Sequence, residues 1–200
     1  VEAFRANNNA DVLFLPIDVS EKFPNLAALS AFGCMIKSLI PKNFKGLTSL
    51  ELLDLHRNKI GYIGTQELRE LTSLRFLDLS DNFITGLAED SLIKLTKLEV
   101  LDLENNQIKC IAFNIDSLIQ LRTFDVSFNR IVAFPNFYFR NNRKLTKIML
   151  NSNKINSVPH IIFDTLNALT QVSFKNNTCI DDKYLKSNFN NMKLKLKNDC

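Results

Sequence analysis

Four aspartates recur at an almost constant interval and are the first candidates for chemistry. Asp54, Asp78 and Asp102 are 24 residues apart and Asp125 follows after 23, and each is the fifth residue of a stretch such as LEVLDLENNQI (98–108). Carboxylates at equivalent positions of neighbouring strands would lie about 4.8 Å apart and would repel one another. Such a column suits cationic groups or Ca²⁺, which binds oxygen ligands. The alternative, which we favour, is that each aspartate bonds neighbouring backbone or solvent.

Other residue types that support catalysis or metal binding are scarce. The two histidines, His56 and His160, have no histidine or cysteine at metal-ligand spacing. No nucleophile elbow, P-loop or dinucleotide-binding pattern occurs, and only 5 glycines are present to build a phosphate-binding loop. The sequence therefore predicts a protein without enzymatic activity, cofactor or bound metal.

Composition narrows the class of protein further. The 200-residue chain is 46% hydrophobic with a net charge of +4, which is typical of one globular domain. Its apolar runs are far shorter than the ~18 residues of a membrane span, and so small a charge does not indicate nucleic-acid binding. We therefore predict no membrane insertion and no nucleic-acid partner. Because Glu2 and Arg5 do not fit a signal peptide, we expect any secretion leader to have been removed.

The stretch around Asp102 belongs to a series of seven similar stretches. They begin at Leu26, Leu50, Leu74, Leu98, Leu121, Leu145 and Leu169, at intervals of 23 or 24 residues. The pattern resembles the signature of the leucine-rich repeat family, L-x-x-L-x-L-x-x-N/C-x-L, over nearly the whole chain. The resemblance implies an α/β repeat fold of mostly parallel strands joined by short turns or 3₁₀ segments. We expect a curved, single-domain solenoid of about seven or eight rungs.

Side-chain alternation within each stretch predicts which residues are buried. Leu98, Leu101 and Leu103 are expected in the core, while Val100 and Asp102 point outward. The ninth position is asparagine in six stretches, and we expect its amide to satisfy backbone groups buried in the turn after each strand. These residues are Asn58, Asn82, Asn106, Asn129, Asn153 and Asn177, with Cys34 at the same position of the first stretch.

About 13 residues connect each stretch to the next, too few for a full helix and two turns. They carry two apolar columns that we expect to complete the core, with phenylalanine as a long filler. The first column is Leu39, Ile63, Leu87, Ile111, Phe134 and Val158. The second is Phe44, Leu68, Leu92, Ile115, Phe139 and Phe163.

The ends depart from the repeat, as the ends of a solenoid must. Residues 1–25 are interpreted as an N-terminal cap or degenerate repeat that includes a strand within residues 1–6, residues 26–178 as repeats, and residues 179–200 as a C-terminal cap. In the first of these segments the outer apolar spacing is kept by Val12, Leu15, Phe23 and the adjoining Leu26.

The C-terminal cap is expected to contain a short helix and then a strand. Asp181 is placed to begin the helix, with Leu185, Phe189 and Met192 on one face. The alternating KLKLK (193–197) predicts the strand.

Four cysteines are present, and two of them bracket the final cap. A Cys179–Cys200 disulfide would stabilise the end of the solenoid by about 2–4 kcal/mol. Cys34, in the asparagine ladder, and Cys110, in an outer segment three repeats later, are too distant to pair, so we expect both to be free. Asn176 begins the one glycosylation sequon, Asn176-Asn177-Thr178, whose use is left open.

The short repeat, the terminal cysteine pair and the sequon resemble extracellular members of the family. The entry FPNL (23–26) and the exit NNTCI (176–180) are similar to those of insect secreted leucine-rich repeat proteins of the immune type. The repeat also resembles Toll-like receptor ectodomains. These resemblances imply secretion to the extracellular space and a role in innate immunity.

Apolar side chains stand among the outward charges of the predicted strands, a mixture that suits protein recognition on the concave face. The candidate binding residues are Leu52, Asp54, His56, Phe76, Asp78, Val100, Asp102, Glu104, Asp125 and Phe128. We therefore predict a non-catalytic secreted module that binds a protein or peptide ligand. The alternative is a structural adhesion or homodimerisation module without a soluble ligand.

Overall fold

The computed structural model describes residues 2–199 as a solenoid built on one continuous nine-stranded sheet. The strands are β1 (Glu2–Arg5), β2 (Leu26–Ser30), β3 (Leu52–Asp54), β4 (Phe76–Asp78), β5 (Val100–Asp102), β6 (Thr123–Asp125), β7 (Lys147–Met149), β8 (Gln171–Ser173) and β9 (Lys183–Leu185). Their order in the sheet is their order in the chain. Strands β1 to β8 pair in parallel, and β9 pairs antiparallel with β8. The predicted repeat fold is confirmed.

Helical structure is limited, as the short connections predict. The helices are α1 (Val19–Lys22) and α2 (Phe189–Asp199). Three single 3₁₀ turns occur at Pro41–Asn43, His160–Phe163 and Lys186–Asn188. Among the described residues no helix is both long enough and apolar enough to cross a membrane.

The strands stack without a register slip through the repeats. Asp54 pairs with Asp78, Asp78 with Asp102, and Asp102 with Asp125. Because the last pair keeps its register across the 23-residue interval, the missing residue has been lost from the connection and not from the strand. In each three-residue strand the central side chain is buried, as at Leu101 in β5. Its two neighbours are not buried, except in β8, where Ser173 is buried as well.

The asparagine ladder is formed as predicted, and each amide joins two rungs. The Asn106 Nδ2 donates to the carbonyl oxygens of Leu79 at 2.9 Å and Leu103 at 3.1 Å, while its Oδ1 accepts from the Ile84 amide at 2.9 Å. The same pattern recurs at Asn58, Asn82, Asn129, Asn153 and Asn177. Cys34 takes the first place, with its thiol donating to the Ala6 carbonyl at 2.8 Å.

Replacing Asn106 with alanine is expected to lower the free energy of unfolding by about 1–3 kcal/mol, because buried backbone donors and acceptors lose their partners. Urea denaturation at neutral pH measures the effect. An Asn106→Ala variant as stable as the native chain would contradict the ladder's role.

The neighbouring Asn105 is the matched control, and its backbone changes what a substitution there does. From the sequence alone, Asn105→Ala would be close to neutral, but Asn105 has φ 52°, in the left-handed region. Alanine there is expected to cost about 1 kcal/mol through backbone strain. The proper control is Asn105→Gly, which relieves the strain and should stay within about 0.5 kcal/mol of the native chain.

The connecting segments complete the core with the two predicted columns. Every residue of both columns is buried. In the C-terminal half the second column widens into an aromatic cluster, where the Phe139 ring lies 5.6 Å from Phe124, 5.1 Å from Tyr138 and 6.2 Å from Phe163. Phenylalanine thus fills the space between the sheet and the outer wall, as expected.

At the N-terminal end the predicted strand is present as β1, but one apolar position was assigned wrongly. Leu15 and Leu26 are buried and Val12 packs against the core. Phe23 is 41% exposed, because it follows directly on the four-residue helix α1 and the chain turns there into β2.

At the C-terminal end the order of elements is the reverse of the prediction. Leu185 lies in strand β9, and KLKLK lies within α2. The Asp181 carboxylate accepts a hydrogen bond from the Asn176 amide and begins no helix. Met192 and Leu196 are both buried, since residues four apart share one face of a helix, and Leu194 is left exposed.

The two cysteines that were predicted to be unpaired are free in the structure. Cys34 is buried and free, and Cys110 is exposed and free. The predicted Cys179–Cys200 bridge includes Cys200, which lies outside the described residues, so the pairing stays a prediction. The cap boundaries at residues 25 and 179 also stay predictions.

Candidate functional site: the open face of the sheet

The candidate site is the face of the sheet turned away from the core, called the open face below. It carries the third and fifth residues of each repeat, with the seventh beside them. In the third position Leu52, Phe76 and Val100 pair in register and form a continuous, half-buried apolar row. This row is the one that the sequence predicted.

The aspartate column lies directly beside the apolar row. Each carboxylate accepts a hydrogen bond from the backbone amide two residues further along. The donor–acceptor distances are 3.3 Å for His56 to Asp54, 2.9 Å for Ser80 to Asp78, 2.9 Å for Glu104 to Asp102 and 2.8 Å for Ser127 to Asp125. One oxygen of each aspartate therefore holds the turn after its strand, and the favoured interpretation of backbone bonding is confirmed.

Burial changes the protonation of two aspartates of the column, Asp102 and Asp125. Burial raises the pKa of Asp102 from its ordinary value of 3.8 to about 7, and the charges of Asp78, Asp125 and Glu104 add to the effect. Burial also raises the pKa of Glu104 and of Asp125. The charged form of Asp102 is thus disfavoured in the folded protein, although the Glu104 amide bond opposes the shift.

Asp102→Asn is expected to stabilise the protein at alkaline pH. Unfolded Asp102 ionises near pH 4 and the folded residue near pH 7, so its protonated form supports the fold fully below pH 4 and this support is lost as the pH rises through 7. The amide keeps the bond to Glu104 and never ionises. After a discount for solvent screening, we expect a gain of about 1–2 kcal/mol at pH 8 and none at pH 4.

Urea denaturation of both chains at pH 8, 6 and 4 measures this difference. Asp90→Asn, at an exposed carboxylate in a connecting segment, is the control and should differ little from the native chain at every pH. An Asp102→Asn variant that is less stable than the native chain at pH 8 would show that ionisation of Asp102 does not destabilise the folded protein.

His56 brings the first two aspartates of the column together. Its Nδ1 lies 2.6 Å from Asp54 Oδ1 and 3.9 Å from Asp78 Oδ2. The three residues form the one group among the described residues whose histidine, cysteine or carboxylate atoms could hold a metal ion, with ligand atoms within 4.8 Å of one another. Spacing along the chain did not reveal this group, because Asp78 comes from the next rung. The 24-residue period could have revealed it, since residues one period apart lie on neighbouring rungs.

Of the predicted binding residues, Phe128 lies outside the strands. It is three residues beyond the end of β6, in a turn where its φ is 54°, and its side chain is 51% exposed. Its part in the binding surface stays a prediction. The same left-handed turn position is occupied by Arg57, Asp81, Asn105, Ser152 and Asn176 in other rungs. Asn176 is exposed, so its sequon is accessible, but glycosylation stays a prediction.

Sequence reasoning missed the side chains that hold this site in position. The Ser30 hydroxyl donates to Asp54 Oδ2 at 2.9 Å and the Ser80 hydroxyl lies 2.6 Å from Asp78 Oδ1. The Phe32 ring stacks on His56 with centroids 4.4 Å apart and planes 11° apart. The 24-residue spacing of Ser30 from Asp54 and of Phe32 from His56 was the signal for two of these contacts, whereas Ser80 follows Asp78 by two residues in the same rung.

Two solved structures have a similar fold. A structure of TLR13 in complex with ssRNA13 superposes with a TM-score of 0.78 at 24% identity, over 88% of this chain and 25% of TLR13. A leucine-rich repeat protein of Leptospira interrogans gives 0.71 at 24% identity, over 82% of this chain and 41% of that protein. The chain thus spans less than half the length of either.

Comparison with curated proteins gives no significant match. The family described as "Leucine rich repeat" matches residues 24–84 and 119–179, and the two-copy form of the repeat matches residues 72–118. These matches join into one uninterrupted segment from residue 24 to residue 179, in agreement with the stacked strands and the asparagine ladder. The chain belongs to the leucine-rich repeat family.

Proposed function

We propose that this chain is a non-catalytic recognition module whose open face binds a protein or peptide through an apolar side chain flanked by lysine or arginine. The observation that supports the proposal is the pairing of an apolar row with a carboxylate column on adjacent positions of the same rungs. An apolar anchor contributes affinity, and the surrounding charge selects the partner.

The sign of the charge favours a cationic partner. Five carboxylates stand on or beside the open face between β3 and β6, those of Asp54, Asp78, Asp102, Asp125 and Glu104. In the described strands basic side chains lie towards the two ends of the sheet, with Arg5 in β1, Lys147 in β7 and Lys175 after β8. Cationic groups placed on the column would also relieve the repulsion that raises the pKa of Asp102.

The same charges argue against a nucleic-acid ligand on this face. TLR13 is similar in fold and is in complex with a single-stranded RNA. A phosphate backbone is bound by neutralising its charge with lysine and arginine, whereas the central rungs of this chain offer carboxylates. We therefore keep the prediction of a protein or peptide partner.

The hydrogen bonds of the site also support binding over catalysis. In a serine hydrolase the base that takes the proton of the hydroxyl nucleophile is commonly a histidine, which an aspartate orients. The Ser30 hydroxyl instead contacts the Asp54 carboxylate at 2.9 Å and the Asn7 side-chain oxygen at 2.8 Å, and the Ser80 hydroxyl contacts the Asp78 carboxylate. These serines support the aspartates.

We place the module outside the cell, with a role in innate immunity. The proposal rests on the resemblance of its short repeats and of its ends to extracellular members of the family. The exposed position of Asn176 is compatible with glycosylation there.

Selection from a random-peptide display library tests the recognition proposal without a known partner. The native chain is expected to enrich peptides that carry lysine or arginine next to an aromatic or aliphatic residue. An Asp78→Lys/Asp102→Lys variant should lose these peptides, because both changes reverse charge at the centre of the column.

Lys94→Glu is the matched control, since Lys94 is exposed in a connecting segment away from the open face. It should enrich the same peptides as the native chain. Selection of the same peptides by the doubly substituted chain, or of acidic peptides by the native chain, would contradict the proposal.

The N-terminal rung supports a second candidate function, self-association in an adhesion module. Strand β1 pairs with β2 among the described residues. Close to it in sequence, Phe14 is 69% exposed and Ile17 is 51% exposed. Sedimentation velocity of the native chain and of Phe14→Ser is the test. A dimer that Phe14→Ser dissociates would favour this function, and a monomeric native chain would exclude it.

A further inference from the structure

The group formed by Asp54, His56 and Asp78 has the composition of a transition-metal site. It contributes one imidazole nitrogen and two carboxylate oxygens from two adjacent rungs. Mixed nitrogen and oxygen ligands of this kind suit Zn²⁺ and its neighbours in the first transition series, whereas Ca²⁺ takes six to eight oxygens.

The distances already approach those of a coordination shell. Around a tetrahedral Zn²⁺ with bonds of about 2.0–2.2 Å, neighbouring ligand atoms lie roughly 3.3 Å apart. The His56 Nδ1 is 2.6 Å from Asp54 Oδ1 and 3.9 Å from Asp78 Oδ2, values on either side of that separation. Shifts of less than about 1 Å in the three side chains would bring them to a common ion. The metal would take the place of the proton that Nδ1 and Asp54 share.

Each ligand is held by a second contact. Asp54 is fixed through Oδ2 by Ser30, while its Oδ1 also accepts a hydrogen bond of 3.3 Å from the His56 backbone amide. Asp78 is fixed through Oδ1 by the amide and hydroxyl of Ser80, which leaves Oδ2 to face the ion. The Phe32 ring, stacked on the imidazole, sets the orientation of His56. Such supporting contacts orient ligands in established metal sites and raise their affinity.

We propose that Asp54, His56 and Asp78 bind one Zn²⁺ ion on the open face. The three protein ligands leave at least one coordination position for water or for a donor atom of another molecule. The site does not depend on peptide recognition.

Isothermal titration of the metal-free protein with ZnCl₂ tests the proposal directly. We expect one saturable site per chain. His56→Ala and Asp78→Asn should each weaken Zn²⁺ binding by ~100-fold or more, and Ser80→Ala, which removes a supporting contact, by about 10-fold. Substitution with Co²⁺ should give d–d absorption bands of a low-coordinate site that are absent in His56→Ala.

Three controls separate this site from other ways of binding zinc. Cys110 is exposed and free, and His160 is the other histidine, so Cys110→Ser and His160→Ala should leave the affinity unchanged. Asp102→Asn should also change it little, which distinguishes coordination from general attraction to the carboxylate column. Circular dichroism confirms that each variant is folded.

The proposal is wrong if the native chain shows no saturable Zn²⁺ binding, or if folded His56→Ala binds as tightly as the native chain. Loss of binding in Cys110→Ser would assign the zinc to the thiol and would equally overturn it. Peptide selection by the open face is unaffected by any of these outcomes, so the two proposals fail separately.

Discussion

Replacing Phe139 with alanine is expected to lower the free energy of unfolding by about 3–5 kcal/mol, the largest loss of stability among the substitutions considered. The side chain is fully buried, and its ring contacts four other aromatic rings at centroid distances of 5.1 to 6.2 Å. Phe124, Phe134 and Tyr138 belong to the same rung as Phe139, and Phe163 belongs to the next, so a cavity here separates the sheet from its outer wall. Urea denaturation followed by circular dichroism measures the loss.

Phe137→Ala is the matched control, two residues earlier in the same connecting segment. Its ring is 55% exposed, so its removal should cost less than about 1 kcal/mol. Its φ of 61° strains phenylalanine and alanine alike, and the strain therefore cancels in the comparison. Equal losses for the two variants would show that the aromatic cluster does not hold the C-terminal rungs together.

Replacing Phe76 with alanine is expected to weaken binding of a peptide selected on the open face by about 30-fold, equivalent to about 2 kcal/mol. Phe76 is the largest side chain of the apolar row and lies between Leu52 and Val100. Aromatic residues at the centre of an interface carry most of the binding free energy. Fluorescence anisotropy with the labelled peptide measures the affinity.

The melting curve of Phe76→Ala should be close to that of the native chain, because the core-facing residue of that strand is Leu77. Asp78→Lys should also weaken binding, and Lys94→Glu should leave it unchanged. Full affinity in both open-face variants would move the binding site to a flank and favour the self-association function. Unfolding of Phe76→Ala would mean that its ring belongs to the core.

The period of the sequence by itself determined most of this fold. A buried leucine, an outward aspartate and a ladder asparagine recur every 23 or 24 residues, and residues one period apart become neighbours once the strands stack in parallel. The aspartate column, the apolar row and the two core columns all follow from this regular spacing. Physically, each rung can bury its apolar face only against the next rung, so the repeat fixes the register.

The tertiary structure alone decided features that depend on distance across rungs or on backbone conformation. The pKa of Asp102 reflects burial and three neighbouring carboxylates, and no single repeat contains that environment. The grouping of His56 with Asp78 likewise needs two rungs. Phe128 lies in the left-handed turn after β6, where side-chain alternation no longer predicts direction because it holds only while the backbone stays extended.

The C-terminal cap is a second region where the local sequence pattern did not predict the structure. Its KLKLK alternates like a strand, yet it forms part of helix α2, because a helix places Met192 and Leu196 together over the exposed end of the core. The repeat no longer supplies a partner strand at that point, so the core edge, and not the local pattern, selects the conformation. The sequence by itself thus determined the rungs and which side chains face inward and outward. The turns, the ends and the electrostatics of the open face were decided only by tertiary packing, because they arise from contacts between rungs.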